Sequence, residues 1–212
     1  MAVVESLSTR AHVFPMEAAV RWSPHSTGAP RRFLLVDVAD ASLGLHEVDD
    51  GIASGKLNHH PVASCRKLPS FGAFAWSPSR EDLVALGHVS GNASLVHLDG
   101  QKQAPDPLVT FKTKQQRRCN SVAFSTQNWL AVALDKTRSD VCLNIYDAAS
   151  DSASFSEPLR RLCPAEVVSS VRFFAGQPQE LVASTQRSYI RVYDLRGRPH
   201  VKQFEELGKG LI

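Results

Sequence analysis

The apolar and polar positions of this chain form a pattern that recurs four times. Each unit opens with a short apolar stretch ending on an aromatic residue, turns into a compact apolar run, and turns again into a run that closes on aspartate. The runs LVALG and LAVAL are continuously apolar, which predicts strands covered on both faces. The runs CLNIYD and YIRVYD alternate between apolar and polar residues, which predicts strands with one covered face. Every unit therefore supplies three β-strands.

Two positions in each unit hold repeated residue types. We expect the aromatic residue that ends the first strand to pack into a core, where truncation of such a side chain typically costs about 3–5 kcal/mol. The closing aspartate should accept N–H hydrogen bonds and lock the turn that follows it. Both positions are interpreted as structural rather than catalytic. They are Trp22, Trp76, Phe124 and Phe173, and Asp49, Asp99, Asp147 and Asp194.

Short strand candidates also lie between the units, in the segments VASCRKL, PLVTFK, PLRRL and HVKQF. Adding one of these outer strands to each unit makes a four-stranded antiparallel sheet about every 40–50 residues, the period of a β-propeller blade. The segment DKTRSD (135–140) is then the turn between two strands of the third sheet. The sequence predicts an all-β fold, a single partial propeller over residues 1–212 with blade units near 10–68, 69–112, 118–162 and 166–204.

Composition and charge narrow the class of protein. The chain is 43% hydrophobic and 21% charged, with a formal net charge of +3, as in an ordinary globular domain. We expect no membrane span, because no window approaches 18 uninterrupted apolar residues. We also expect no secretory signal, because Glu5 and Arg10 interrupt the apolar start. The four cysteines form no C-x-x-C pair, which favours an intracellular chain with free thiols over a zinc ribbon.

Signatures of catalysis or metal binding are missing from the sequence. It contains no G-x-S-x-G, no phosphate-binding glycine loop and no H-E-x-x-H. The densest histidine pair, in NHHP (58–61), has no second ligand group at a fixed spacing and is interpreted as a solvated loop. We therefore predict a protein that is not an enzyme and holds no cofactor or metal. A propeller enzyme with an active site in its central channel stays open as an alternative; it would need histidines and carboxylates converging on that channel.

Two charged segments are candidates for contacts with other proteins. KTKQQRR (112–118) is the one basic cluster, and DKTRSD projects from the end of a predicted blade. The basic cluster could receive an acidic partner or an anionic surface, or be only a solvated connection between blades. It has no interleaved aromatic residues, which argues against single-stranded nucleic acid. The candidate contacts are Lys112, Lys114, Arg117, Arg118, Asp135, Lys136 and Arg138.

The ends of the units resemble those of WD-repeat (WD40) propellers. IYD (145–147) and VYD (192–194) stand where that family carries its Trp-Asp ending, with Tyr146 and Tyr193 in place of the tryptophan. The earlier repeats have Val48 and Leu98 at this position, and the Gly-His that precedes each inner strand in the family is missing. The resemblance implies a propeller that binds other proteins.

A narrower resemblance rests on the stretch 117–147, RRCNSVAFSTQNWLAVALDKTRSDVCLNIYD, with WSPHS (22–26) and VYDLR (192–196) in the same register. This stretch is similar to the third-blade region of the Mio (MIOS) subunit family of the SEA/GATOR complex. The resemblance implies a non-enzymatic scaffold that promotes amino-acid-dependent TOR complex signalling. It also implies SEA/GATOR subunits as partners and a cytoplasmic location, peripheral at the vacuolar or lysosomal membrane. The alternative is another WD-repeat adaptor, such as a ubiquitin-ligase substrate receptor or a trafficking coat component.

Members of the Mio family are longer, with more blades, an α-helical solenoid and a C-terminal zinc-binding module that have no counterpart in this sequence. Four units on their own would leave two apolar blade faces and unpaired strand edges exposed. The expectation is therefore a truncated product of a longer gene, or a propeller that partner surfaces complete. For the same reason, we expect the isolated chain to aggregate or to form oligomers.

Overall fold

Four antiparallel sheets of four strands each make up the part of the chain that the structure, a computed structural model, describes. That part comprises residues 20–25, 30–37, 41–48, 59–98, 107–138, 140–149, 157–163 and 166–196, and the backbone of 200–204. Within these residues all regular structure is β. The prediction of an all-β fold built from four-stranded antiparallel blades is confirmed.

Each sheet is a meander in which consecutive strands are neighbours. The first sheet has β1 (Val20–Trp22), β2 (Arg31–Asp37), β3 (Ser42–Val48) and β4 (His59–Cys65). The second has β5 (Phe71–Trp76), β6 (Leu83–His88), β7 (Ala93–His97) and β8 (Val109–Phe111). The third has β9 (Cys119–Phe124), β10 (Trp129–Leu134), β11 (Leu143–Asp147) and β12 (Arg160–Leu162). The fourth has β13 (Val168–Phe174), β14 (Gln177–Thr185), β15 (Ile190–Asp194) and β16 (His200–Phe204).

Three apolar cores join the four sheets in sequence order. The first core lies between the first and second sheets, the second between the second and third, and the third between the third and fourth. In the described residues the face of the first sheet that points away from the second instead carries exposed apolar side chains, with Val20 at 45%, Trp22 at 57% and Leu35 at 38% exposure. The described residues therefore form an open, partial propeller.

Burial of the middle strands follows from their place in this row. All six residues of β6 are buried, as are five of the six in β10, so LVALG and LAVAL are covered on both faces as predicted. In β14 the side chains alternate, with Leu181 and Ala183 buried and the intervening Val182 only half-buried. The difference arises because an end sheet packs against one neighbour rather than two.

Two local predictions are corrected by the structure. The run CLNIYD was expected to have one solvated face, but β11 is buried on both faces and takes Asn144 with it, at 4% exposure. NHHP is predicted to be a solvated loop; His59 and His60 are exposed, as predicted, but they begin β4 and pair with β3. The first error came from taking a polar side chain as evidence of a solvated face, which sheet stacking overrode; the second came from assigning a polar connection to a loop where strand pairing extends β4.

Candidate protein-interaction surfaces

The closing aspartates that the structure describes hold the turns after their strands. The Asp147 carboxylate accepts the N–H of Ala149 at 2.9 Å, and the Asp194 carboxylate accepts the N–H of Arg196 at 3.0 Å. Such bonds satisfy a backbone donor just where the strand ends. Asp194 also binds the guanidinium of Arg196 at 2.6 Å. Asp49 and Asp99, the equivalent residues of the first two repeats, lie outside the described residues.

The four repeated aromatic residues lie on the innermost strands and line one cavity of about 220 Å³, here called the axial cavity. Trp76 is buried and donates its indole N–H to the carbonyl of Glu81 at 2.7 Å. Phe124 and Phe173 are half-buried and pack on their cores. Trp22 differs from the expectation of burial. It is 57% exposed and touches the edge of a phenylalanine of β2, because no further sheet covers the first blade in the described residues.

Arg21 and Arg172 give the axial cavity a positive rim that the sequence did not suggest. The described lining contains no histidine and no carboxylate. This cavity therefore lacks the convergence of acid and base groups that a channel enzyme would require.

The structure corrects the interpretation of Arg117 as an exposed partner contact. Its side chain is 2% exposed and binds Asp140 at 2.7 Å. Its other terminal nitrogen lies 3.4 Å from the carbonyl of Asp135 and from the hydroxyl of Thr137. Arg117 is thus the anchor of the β10–β11 hairpin rather than part of a binding patch.

Asp140 joins two arginines in one network. Its carboxylate is 6% exposed and binds Arg161 as well as Arg117, and it accepts the N–H of Val141 at 2.9 Å. Burial on its own would raise the pKa of Asp140, but the Val141 bond and the two guanidinium groups outweigh burial and hold that pKa below its usual value. The carboxylate therefore stays charged at neutral pH.

The remaining candidate contacts divide into two groups. Asp135 is half-buried and accepts a hydrogen bond from the side chain of Asn120 at 2.8 Å, which ties the hairpin to β9. The other five candidates are exposed basic residues at the rim of the second and third blades. These are Lys112, Lys114, Arg118, Lys136 and Arg138.

A second cavity, here called the interblade cavity, lies between the outer strands of the second and third blades and measures about 180 Å³. Lys112 and Lys114 stand on one side and Arg161 on the other. Its lining also includes Asn144 and Tyr146, which are 4% and 2% exposed. Asn144 donates to the hydroxyl of Tyr146 at 3.3 Å, and its amide oxygen has no partner in the described structure.

Sequence reasoning missed Asn144 and Arg161 as members of a site. Asn144 is a polar residue within an apolar strand, which could have signalled a buried polar group; Arg161 lies in the outer strand β12 and carries no such signal. Their meeting with residues 112–114 depends on the packing of two blades, which the sequence pattern does not reveal.

The aromatic character of the first blade continues across its outward side, here called the open face. Val20, Trp22, Phe33, Leu35 and His46 share it through the register of β1, β2 and β3. The rings of Phe33 and His46 stack with centroids 5.2 Å apart. Burial lowers the pKa of His46, as do the neighbouring histidines 59 and 60, so its ring is neutral at physiological pH. The open face is therefore a largely uncharged aromatic surface.

Within the described ranges, no three histidine, cysteine or acidic side chains gather as metal ligands. No helix there is long and apolar enough to cross a membrane. His88 is buried, with its ring 2.7 Å from the hydroxyl of Ser94, so it is a packed, hydrogen-bonded histidine.

No family model matches the chain. GATOR2 complex protein MIOS of Danio rerio is 27% identical over 160 residues, which covers 68% of this chain and 18% of that protein. GATOR2 complex protein MIOS-A of Xenopus laevis is 29% identical over 150 residues, covering 62% of this chain and 16% of that protein. An uncharacterised WD repeat-containing protein of Schizosaccharomyces pombe is 28% identical over 145 residues, covering 68% of this chain and 16% of that protein. The chain spans less than a fifth of the length of these curated relatives.

The fold is also that of solved propellers. The Chaetomium thermophilum Sqt1 crystal structure, bound to the N-terminus of the ribosomal protein L10, superposes with a TM-score of 0.60 at 22% identity. The match covers 82% of this chain and 46% of Sqt1. A second Sqt1 structure from the same organism gives a TM-score of 0.58 at 23% identity, covering 84% of this chain and 45% of Sqt1. The chain is a partial β-propeller whose sequence is similar to that of the MIOS proteins of the GATOR2 complex and of a WD repeat-containing protein.

Proposed function

We propose that this chain is a non-enzymatic interaction scaffold within a SEA/GATOR-type complex and promotes amino-acid-dependent TOR complex signalling. Its partners are then other subunits of that complex, and its location is cytoplasmic, peripheral at the vacuolar or lysosomal membrane. Nucleic acid is not among its ligands. The observation that carries the proposal is the similarity to two GATOR2 complex MIOS proteins over up to 160 residues.

The surface chemistry supports a scaffold. The open face presents exposed Trp22, Val20 and Leu35, and contiguous exposed apolar residues on a folded domain commonly mark a surface that another protein covers. Aromatic residues such as tryptophan are enriched at the centres of such interfaces. The axial cavity adds aromatic rings beside two arginines. These features fit protein recognition better than turnover of a small substrate.

Affinity purification tests the proposal. The full chain, tagged at its C-terminus and expressed in cells of its source organism, should recover SEA/GATOR subunits by mass spectrometry. A bait carrying W22S and L35S on the open face should recover fewer of them, whereas R187E, at an exposed turn of the fourth blade, should behave as the unaltered bait. Recovery of ubiquitin-ligase or vesicle-coat subunits without SEA/GATOR members would replace the proposed function with another adaptor role.

Signalling supplies the second test. Cells lacking the chain should fail to restore phosphorylation of a TOR complex substrate when amino acids are returned after starvation. Expression of the full chain should rescue that response. Normal recovery in the deleted cells, with the other complex members present, would contradict the assignment to this branch of signalling.

A further inference from the structure

The interblade cavity contains a polar group whose hydrogen-bonding capacity is unused. Asn144 lines it at 4% exposure, and one end of its amide has no partner in the described structure. The other end bonds to Tyr146, whose hydroxyl proton has no described acceptor. Buried polar groups are nearly always paired in folded proteins, because leaving one unpaired forfeits its interaction with water. An amide and a hydroxyl in this state suit a ligand that supplies the missing partners.

The charged residues around the cavity indicate that such a ligand is negatively charged. Asp140 is already engaged by two arginines, so it does not neutralise the rim. No ion pair of the two rim lysines is seen among the described residues. The cavity lining holds three cations and two carboxylates, namely Lys112, Lys114 and Arg161, and Asp140 and Glu157. A fourth cation, Arg117, lies behind the lining and binds Asp140. The balance of charge at the cavity is therefore positive.

The lysine segment is held in place before any ligand arrives. Thr113, between the two lysines, donates its N–H to the side chain of Asn92 at 3.1 Å and its hydroxyl to the carbonyl of Gln115 at 3.1 Å. Arg161 is restrained by Asp140 on the opposite wall. Binding groups that are already ordered lose less conformational entropy on association.

We propose that the interblade cavity receives the carboxylate side chain of an acidic segment of a partner protein. Lys112, Lys114 and Arg161 supply the charge, the Tyr146 hydroxyl donates to one carboxylate oxygen, and the Asn144 amide oxygen accepts an N–H of the adjacent backbone. A volume of about 180 Å³ is below the range of about 300–1,000 Å³ for drug-sized ligands and fits a single side chain.

The aromatic residue of the lining is placed so that it disfavours a nucleic acid as the ligand. A nucleic acid base finds no exposed ring on which to stack, because Tyr146 is buried and stacks on Phe111 with centroids 4.5 Å apart. Burial raises the pKa of Tyr146 to about 12, so its hydroxyl keeps the proton that it donates.

This inference rests on the proposed function in that it describes how a scaffold of this kind binds one partner. The proposed function and this inference can be refuted independently of each other. Complex membership is judged from the subunits that a bait recovers, whereas the inference is judged from binding of a synthetic peptide to the purified chain.

The test uses a random dodecapeptide phage library selected on the full chain. Enriched sequences should share an aspartate or glutamate at one position. A synthetic, fluorescein-labelled peptide of the best sequence is then titrated by fluorescence polarisation, together with its acid-to-amide version. We expect the amide peptide to bind at least about 10-fold more weakly, and K112E/K114E to lose a similar factor for the acidic peptide. The matched charge control R66E/R187E, at two exposed sites away from the cavity lining, should bind like the unaltered chain.

Several outcomes would overturn the inference. These are the absence of enriched peptides, enrichment without an acidic position, or acidic peptides whose affinity is unchanged by K112E/K114E. Tighter binding of a phosphoserine version of the peptide, or of a single-stranded RNA oligonucleotide, would assign the cavity to that ligand instead. Circular dichroism of each variant shows that it is folded, because both lysines are exposed and their replacement leaves the cores intact.

Discussion

Replacing Arg117 by methionine should destabilise the chain by about 3 kcal/mol. Removal of one partner from a buried ion pair typically costs about 3–5 kcal/mol, because the other charge is left without compensation. Asp140 keeps Arg161 as a partner in the R117M variant, and the Arg161 side chain is 38% exposed, so the lower end of this range applies. For a chain of this size, about 3 kcal/mol corresponds to a fall of about 6–12 °C in Tm.

Urea unfolding followed by tryptophan fluorescence measures the change. R118M is the matched control, because its side chain is the exposed neighbour in the same segment and substitutions at such sites usually stay within about 0.5 kcal/mol. The double variant R117M/D140N should be less destabilised than the sum of the single variants, because it removes both charges of the pair. Equal losses for R117M and R118M, or strictly additive losses in the double variant, would refute a buried ion pair.

The lowered pKa of Asp140 also predicts how the free energy of unfolding depends on pH. Its pKa is lower in the folded chain than the ordinary value of about 3.9, so the folded state binds its proton less readily than the unfolded state does. The contribution of the charged carboxylate is therefore fully present above about pH 5 and is lost as the pH falls through the folded pKa. The difference in unfolding free energy between the unaltered chain and D140N should be constant from pH 7 to 5 and shrink below pH 4. A difference that grows on acidification would contradict the assigned sign.

Three further predictions concern packing and exposure. Gly87→Ala should cost about 1–3 kcal/mol, because the new Cβ would collide with the sulfur of Cys119, whereas Gly176→Ala, with open space around it, should change the unfolding free energy little; equal effects in urea would contradict this. Burial raises the pKa of the Cys119 thiol to about 12, so it should resist a maleimide at pH 8 until the chain is unfolded, as judged by mass spectrometry. W22S/L35S should reduce self-association of the isolated chain in sedimentation velocity, because both side chains are exposed on the open face. An unaltered chain that is already monomeric would contradict the expectation that the open face drives self-association.

The strand pattern was predictable because it depends on local periodicity. LVALG and LAVAL lie in middle strands, and the outer strands form in all four segments where short candidates were seen. The turn in DKTRSD also follows from a local interruption of apolar residues. Such features are encoded by neighbouring residues along the chain, so a single sequence was enough to assign them.

The candidate site was less predictable, because its residues come from different blades. Lys112 and Arg161 meet across the interblade cavity only when the second and third sheets stack. Arg117 looked like one more cation in a basic segment, yet it is buried because Asp140 follows it 23 residues later and faces it in the fold. A run of charges in the sequence does not separate side chains that are paired internally from those left for a partner.

By itself, the sequence determined that this protein is a row of four antiparallel sheets with a WD-repeat pattern, since alternating and continuous apolar runs need only their own strand geometry. Tertiary structure alone decided that Trp22 is exposed, that Asn144 is buried beside Tyr146, and that a cationic cavity separates two blades. The physical reason is that burial depends on which sheet lies opposite a side chain, and that neighbour is supplied by residues some 50 positions away.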